Sequence, residues 1–305
     1  MLTQEQLSKY KEEGCLAIPG FLDEATVKLL NDEIVKLTND LDLSTHPMTR
    51  FTTSEDGEDK HVGDDYFINS SDKIHYFFEV DAVDSNGKLT KPKDKSINKI
   101  GHGLHFLNDK FNSITTTKEI AEICKQLGYK DPRALQSMVI IKQPEIGGKV
   151  PPHQDGEFLY SNPLSCTGFW FALEDCTLTN GCLRYLPGSH NTHPVRKRFI
   201  KDFENGGTRF IDTKTLENYD FSKEKAATKE EEDSYVDVEI PAGTLVLIHN
   251  SVMHKSERNT SSKSRNAYTF HIVEGESEYD NKNWLQVPPH IPSGTENFTK
   301  VFQSV

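Results

Sequence analysis

The second half of this chain carries a series of short segments that are rich in β-branched and aromatic residues and are separated by Gly, Pro or Asn turns. Such segments are typical of β-strands. Parallel strands need crossover helices, whereas strands that follow one another directly pair antiparallel in a sandwich or jelly roll. The pattern therefore predicts a mainly β protein with an antiparallel double-sheet core. The segments that carry it are residues 137–141, 167–173, 182–186, 244–248 and 267–273.

The first forty residues have a helical pattern instead. Good helix formers run from Gln4 to Glu13 and stop at Gly14, a residue type that commonly ends helices. Asp23 then precedes a segment whose apolar residues recur at helical spacing, and we expect this aspartate to cap a second helix. We therefore expect α-helices to flank the β core.

The chain shows no internal repeat and no low-complexity linker that would divide it. Its 305 residues are a long domain, but double-layered β folds commonly reach this length as one unit. We therefore expect a single domain over residues 1–305. Its helical N-terminal part would cover about residues 1–130, and the β core would cover about residues 134–290.

The composition excludes several classes of protein. With 35 basic and 47 acidic residues the net charge is −12, which argues against binding to nucleic acid or to an anionic membrane surface. Five widely spaced cysteines do not make a disulfide framework. The chain begins without a signal-peptide pattern, and no apolar run approaches the roughly 18 residues of a membrane span. We expect a soluble cytoplasmic protein that acts on a small molecule.

A His-x-Asp motif, His153 and Asp155, provides the first sign of chemistry. In an extended segment, residues two apart point to the same side, so both side chains could face one ion. Together with a second histidine they would form the two-His-one-carboxylate triad of non-haem Fe(II) oxygenases. The motif alone is weak, because about two such pairs would arise by chance in a chain of this composition.

Two histidines, His249 and His254, are candidates for the third ligand. On one continuous strand, residues five apart face opposite ways, so at most one of them joins the motif. A little further on, Arg265 lies on the small, polar side of a strand that also carries Thr269 and His271. It either faces a cavity, where it would need an anion, or begins the strand at its edge and pairs with a surface acid.

These motifs, taken together and in order, resemble the phytanoyl-CoA dioxygenase family of Fe(II)/2-oxoglutarate oxygenases. The resemblance covers nearly the whole chain, and several motifs in the right order are far more specific than any one of them. The matching segments are residues 13–22, 95–102, 136–138, 152–155, 180–190 and 254–265.

The resemblance implies a double-stranded β-helix, a cupin-like jelly roll, and a set of site residues. In the family, the distal ligand stands eleven residues before the arginine that binds the far carboxylate of 2-oxoglutarate, which selects His254 because Arg265 follows it at that distance. His153, Asp155 and His254 would then be the catalytic metal ligands. The residues at the positions of the 2-oxoglutarate contacts are Lys99, Met138, Trp170, Ser256 and Arg265.

The function that the resemblance implies is hydroxylation of a small molecule with Fe(II), 2-oxoglutarate and O2, releasing succinate and CO2. Two alternatives remain open: a cupin-like isomerase or hydrolase that uses the same triad without an oxoacid, and a non-catalytic relative that binds a small metabolite. The sequence leaves the prime substrate and the oligomeric state open. Arg196, Lys197 and Arg198 could contact the phosphates of an acyl-CoA, or they could be an ordinary solvated cluster.

Overall fold

The structure is a computed structural model that describes residues 1–52, 63–213, 232–290 and 293–302. Two 3-10 turns (Val80–Ala82 and Lys93–Lys95) accompany the helices and strands. The helices are α1 (Gln4–Glu13), α2 (Glu24–Asp40), α3 (Asp65–Ile68), α4 (Leu104–Leu107), α5 (Asp109–Thr115), α6 (Lys118–Leu127), α7 (Asp155–Phe158) and α8 (Ser189–Thr192). The strands are β1 (Cys15–Ile18), β2 (Ile74–Phe78), β3 (Ile97–His102), β4 (Pro132–Lys142), β5 (Val150–His153), β6 (Thr167–Ala172), β7 (Leu183–Tyr185), β8 (Lys197–Lys201), β9 (Thr208–Asp212), β10 (Val236–Val238), β11 (Leu245–His249), β12 (His254–Ser256), β13 (Arg265–Glu274) and β14 (Thr299–Lys300).

The strands form two main antiparallel sheets. The major sheet has the order β1-β11-β6-β13-β4-β3-β2, with β14 added against β4. The minor sheet has the order β10-β7-β12-β5, and β8 and β9 form a separate hairpin. Both sheets are open, and together they give the predicted jelly-roll core. All five segments expected to be strands are strands, and β4 and β13 run beyond the predicted bounds because they pair with each other over nearly their full length.

Helix α1 begins and ends, and α2 begins, where the local sequence predicts. Thr3 and Gln6 form a capping box at the start of α1, and Gly14 ends this helix with a φ of +78°, where a residue without a Cβ is favoured. Asp23 accepts a hydrogen bond from the backbone of Thr26 at the start of α2. These boundaries are local, and they were therefore readable from the sequence.

The first 130 residues also contribute three strands to the major sheet. The short extended stretch after α1 is β1, which pairs with β11 at one edge. Strands β2 and β3 extend the sheet beyond β4, although β3 mixes Ile, Asn, Lys, Gly and His without a clear alternation. Pairing with β4 makes it a strand, since it buries Ile97 and Ile100 against the helices.

The two faces of the major sheet have different roles. The outer face packs against the helices, and Tyr268, Phe270 and Ile272 of β13 belong to that core. The inner face is turned toward the minor sheet, where Trp170 of β6 and Ile248 of β11 help to form a second apolar cluster. The site lies between the two sheets. Among the described residues, no helix combines the length and the apolar character that crossing a membrane requires.

Candidate metal and cosubstrate site

Two strands of the minor sheet and one short helix bring His153, Asp155 and His254 together. His153 ends β5, His254 begins β12, and the two residues are directly paired across these antiparallel strands. Asp155 begins α7, two residues after His153. Its Oδ1 lies 3.8 Å from Nε2 of His153 and 3.5 Å from Nε2 of His254. One donor atom from each of the three side chains therefore falls within 4.8 Å of the other two, as a shared metal ion requires.

Backbone carbonyls orient both imidazoles of this triad. Nδ1 of His153 lies 3.0 Å from the carbonyl oxygen of Pro151, and Nδ1 of His254 lies 3.0 Å from that of Val252. Because a carbonyl can only accept, each Nδ1 carries the hydrogen and each Nε2 presents its lone pair to the centre. This is the tautomer that a metal-binding histidine needs.

The electrostatics of the triad also suit a cation. Burial, and then the neighbouring His254, lower the pKa of His153 to about 3, so its imidazole is neutral at neutral pH. Burial raises the pKa of Asp155, but His254, His271 and His153 outweigh that effect and hold it below its ordinary value. The site thus offers neutral imidazole and carboxylate, the protonation states in which these groups bind metal.

The structure separates the two candidate histidines into different sheets. His249 ends β11 in the major sheet. A turn, closed by a hydrogen bond from the Val252 backbone N–H to the His249 carbonyl oxygen, then leads into β12 of the minor sheet. The ring of His249 lies 4.8 Å from that of His190, and its Nδ1 accepts a hydrogen bond from the Ser251 backbone. The geometry therefore brings His254, and not His249, to the His153–Asp155 pair.

Arg265 is a buried cation at the start of β13. Its side chain is only 2% exposed, which excludes the alternative of a surface arginine at a strand edge. Nη2 lies 3.4 Å from the Gly181 carbonyl oxygen, while Nε and Nη1 find no hydrogen-bond partner within the described part of the chain. The guanidinium stands 5.3 Å from the centre of the Trp170 ring. A buried guanidinium whose N–H donors lack hydrogen-bond partners favours the binding of an anion.

The other predicted cosubstrate residues line the same cavity, which has a volume of about 650 Å³. Lys99 of β3 points its Nζ at the Phe51 ring, 3.4 Å from the centroid. Burial lowers the pKa of Lys99 to about 7, against the opposing influence of Asp155 and Glu79. Met138, Trp170 and Ser256 come from β4, β6 and β12. All eight residues expected to hold the metal or the cosubstrate thus face one cavity.

The residues present fit a metal ion and a dicarboxylate on two separate grounds. Nε2 of each histidine and Oδ1 of Asp155 converge on one point and form a mixed nitrogen and oxygen donor set suited to Fe(II). Arg265 keeps two buried donors without a partner among the described residues, on the wall of the same cavity. A metal and an anion would together satisfy these groups.

Several residues near the site were not singled out by the sequence. Gln136 of β4 and Gly168 of β6 lie beside His271 through strand register, which the sequence does not reveal. Lys142 of β4 is buried opposite Arg265, one residue beyond the predicted strand of residues 137–141, and no sequence pattern pointed to it. His271 was placed on the correct face of its strand by the two-residue alternation, but no role followed from that.

The basic cluster of residues 196–198 is largely engaged by the fold. Arg198 is buried and donates to Oδ2 of Asp280 at 2.5 Å and to Oδ1 of Asn283 at 3.0 Å. Lys197 lines the cavity, with its Nζ 4.2 Å from the centre of the Phe210 ring. The cluster is therefore neither a simple solvated patch nor three free cations.

Comparison with known proteins places this site in a family. The sequence profile of the phytanoyl-CoA dioxygenase (PhyH) family matches residues 10–267. The chain belongs to the phytanoyl-CoA dioxygenase family. It is 43% identical over 284 residues to the phytanoyl-CoA dioxygenase domain-containing protein 1 homolog of Caenorhabditis elegans, a match that covers 91% of this chain and 93% of the relative.

Two further comparisons agree with this membership. The phytanoyl-CoA dioxygenase of Arabidopsis thaliana is 41% identical over 286 residues, covering 93% of this chain and 94% of that protein. Among solved structures, the epimerase SnoN in complex with Fe³⁺, α-ketoglutarate and nogalamycin RO matches with a TM-score of 0.62 and 15% identity, over 98% of each chain. At 15% identity, this match shows that our phytanoyl-CoA dioxygenase family member shares its fold with SnoN.

Proposed function

We propose that the protein is an Fe(II)- and 2-oxoglutarate-dependent oxygenase that hydroxylates a small molecule and releases succinate and CO2. The observation that carries this proposal is Arg265, a buried guanidinium that opens on the cavity of the His153–Asp155–His254 triad. A triad alone also fits metal-dependent isomerases and hydrolases of cupin type. A buried anion anchor beside it fits an enzyme that uses a dicarboxylic oxoacid. Membership of the phytanoyl-CoA dioxygenase family supports the same conclusion.

In this proposal His153, Asp155 and His254 would hold ferrous iron, a set of three protein ligands that would leave room for the cosubstrate and O2. Ferrous iron bound there, with 2-oxoglutarate and O2, supplies the oxidative decarboxylation that drives hydroxylation. The protein supplies orientation: the Nδ1 hydrogen bonds to the carbonyls of Pro151 and Val252 fix which nitrogen of each imidazole faces the metal.

The cosubstrate residues divide by chemistry. Arg265 offers a planar fork of donors to the distal carboxylate of 2-oxoglutarate. Ser256, two residues after His254 on β12, adds a hydroxyl on the same side. Lys99 offers a buried amine, while Met138 and the Trp170 ring would pack against the carbon chain of 2-oxoglutarate. Their burial excludes water from around the oxoacid and strengthens its contacts with the cations.

The remainder of the cavity would hold the substrate. Next to His153, aromatic side chains line the cavity wall. The first is Phe158, whose ring centre lies 5.9 Å from that of His153. Phe158 approaches Phe199 and Phe210 at 5.6 and 5.7 Å between ring centres. Trp284 continues this lining. Such walls favour a small molecule that brings an apolar or flat group to the metal.

Succinate formation tests the proposal. The metal-free protein is supplied with Fe(II), O2 and 2-oxoglutarate, and succinate is measured with and without candidate small molecules. We expect succinate from the wild-type protein, stimulated by the correct substrate, and none from the variants His153→Ala and Asp155→Ala. An isomerase, a hydrolase or a non-catalytic binding protein would release no succinate from any mixture. That result, with iron and 2-oxoglutarate shown to be bound, would contradict the proposal.

A further inference from the structure

The two carboxylate oxygens of Asp155 face different partners. Oδ1 is the oxygen directed at both triad histidines. Oδ2 points the other way, toward the major sheet, where Nε2 of His271 lies 3.3 Å from it. His271 is buried in β13 and is not one of the triad residues. The carboxylate therefore lies between the two triad histidines on one side and a third imidazole on the other.

Strand register places a further polar group behind His271. In β4, the residue directly opposite His271 is Gln136, whose Nε2 lies 3.4 Å from Nδ1 of the imidazole. An amide nitrogen can only donate, so Nδ1 is the acceptor and the ring hydrogen is on Nε2. That hydrogen is on the ring atom 3.3 Å from Oδ2 of Asp155, a buried oxygen that has no hydrogen-bond partner among the described residues and to which a small movement of the imidazole would donate.

The strand on the other side of β13 leaves room for this pair. Gly168 of β6 is the residue opposite His271. A Cβ at this position would lie 3.2 Å from Oδ2 of Asp155 and 3.5 Å from Cδ2 of His271. The distance to the carboxylate is closer than ordinary van der Waals contact. Because residue 168 has no side chain, Oδ2 of Asp155 and the His271 imidazole can lie next to each other without a steric clash.

We propose that His271, supported by Gln136, is a positioning residue that holds Oδ2 of Asp155 so that the carboxylate binds the metal through Oδ1 alone. This inference rests on the proposed function. A carboxylate that turned to bind through both oxygens would occupy a coordination position that the cosubstrate or O2 requires. Anchoring Oδ2 from the major sheet keeps that position open and preorganises the ligand for the ion.

The test measures metal binding directly, using Co(II) as an oxygen-stable probe. Metal-free wild-type protein, His271→Leu and His271→Gln are titrated with Co(II), and the visible absorption of the bound ion is recorded. His271→Leu introduces an apolar side chain of similar size that lacks the N–H donor, and we expect a roughly tenfold to hundredfold weaker Co(II) affinity. We also expect its absorption bands to change, because the carboxylate is released. His271→Gln places an amide near the former Nε2 and should recover much of the affinity.

Two further variants keep the test specific. Gln136→Leu should weaken Co(II) binding less than His271→Leu, since it acts through the imidazole. His249→Leu also removes a partly buried histidine, but one outside the triad, and should leave both affinity and spectrum unchanged. Wild-type affinity and spectrum in His271→Leu, or equal losses in His271→Leu and His249→Leu, would overturn the inference. Wild-type Co(II) affinity in Asp155→Ala would instead overturn the proposed metal site.

Discussion

Lys142 lies directly opposite Arg265 in the antiparallel pair of β4 and β13, so two buried basic side chains lie next to each other on one wall of the cavity. Lys142 directs its Nζ at the carbonyl oxygens of Gly148 and Glu257, each at 2.6 Å. Its hydrogen bonds therefore fasten the two loops beside the site, and Arg265 keeps its own donors for an anion. This division of roles suggests different consequences for changing each residue.

Arg265→Ala should weaken 2-oxoglutarate binding by about a hundredfold to a few thousandfold, equivalent to about 3–5 kcal/mol for removing one partner of a buried charge pair. Arg265→Lys restores the charge without the planar fork and should recover only part of the loss. Calorimetric titration of the Mn(II)-loaded protein with 2-oxoglutarate measures both effects. An affinity within a few-fold of wild type in Arg265→Ala would contradict the assignment.

Stability should depend on pH through Lys142. Burial, and then the adjacent Arg265, lower the pKa of Lys142 to about 7 in the folded protein, whereas an unfolded lysine titrates near a pKa of about 10.4. Between these values the unfolded chain binds a proton that the folded chain lacks, so the free energy of unfolding rises with pH across this window and is flat below it. Lys142→Met should reduce that slope by up to about 1.4 kcal/mol per pH unit.

Denaturant unfolding of the metal-free protein at several pH values between about 7 and 10 measures this slope. Lys36→Met, at an exposed position of α2, is the matched control and should keep the wild-type dependence. Equal slopes in wild type and Lys142→Met would show that Lys142 is charged in the folded protein throughout the window.

His254→Ala should abolish iron retention, because it removes one of the three proposed protein ligands. His249→Ala should retain iron at the wild-type level, since that ring packs against His190 rather than against the triad. Metal analysis after gel filtration distinguishes the two variants, and succinate release should follow the same order. Loss of iron from His249→Ala with retention in His254→Ala would reverse the choice of ligand.

Binding of 2-oxoglutarate should change the fluorescence of one tryptophan more than that of the other. The chain has two tryptophans, and both line the cavity, but only Trp170 lies beneath the Arg265 guanidinium. A carboxylate that binds this guanidinium changes the charge next to the Trp170 ring. We expect Trp284→Phe to keep the fluorescence response to 2-oxoglutarate in the presence of Mn(II), and Trp170→Phe to lose it. The opposite pattern would place the oxoacid at the aromatic end of the cavity.

Gly168→Ala should weaken metal binding without removing any ligand. The new Cβ would crowd Oδ2 of Asp155, where an ideal Cβ lies at 3.2 Å, and would displace the carboxylate from His271. A Mn(II) titration followed by electron paramagnetic resonance should show a lower affinity than wild type. Gly148→Ala serves as a control for glycine removal, because an ideal Cβ at that position meets only Oε2 of Glu79, at an ordinary contact distance of 3.5 Å. Wild-type Mn(II) affinity in Gly168→Ala would mean that the carboxylate tolerates the displacement.

The sequence alone was sufficient wherever the cause is local. The run of helix formers that stops at Gly14 and the capping residue Asp23 predicted the two N-terminal helices, and short β-branched segments predicted the main strands of the core. The two-residue alternation in β13 also placed Arg265, Thr269 and His271 on the face opposite Tyr268, and the structure puts these three in the cavity. These outcomes depend on neighbours within a few residues along the chain.

Tertiary structure decided what depends on neighbours across strands. From the residues alone, His249 and His254 were equal candidates, and the turn between β11 and β12 separates them because it carries the chain from one sheet to the other. The contact of His271 with Asp155, the glutamine behind it and the vacant Cβ position at Gly168 follow from strand register. The sequence specifies which chemical groups are present. The distances between these groups depend on long-range strand pairing, which no local pattern encodes.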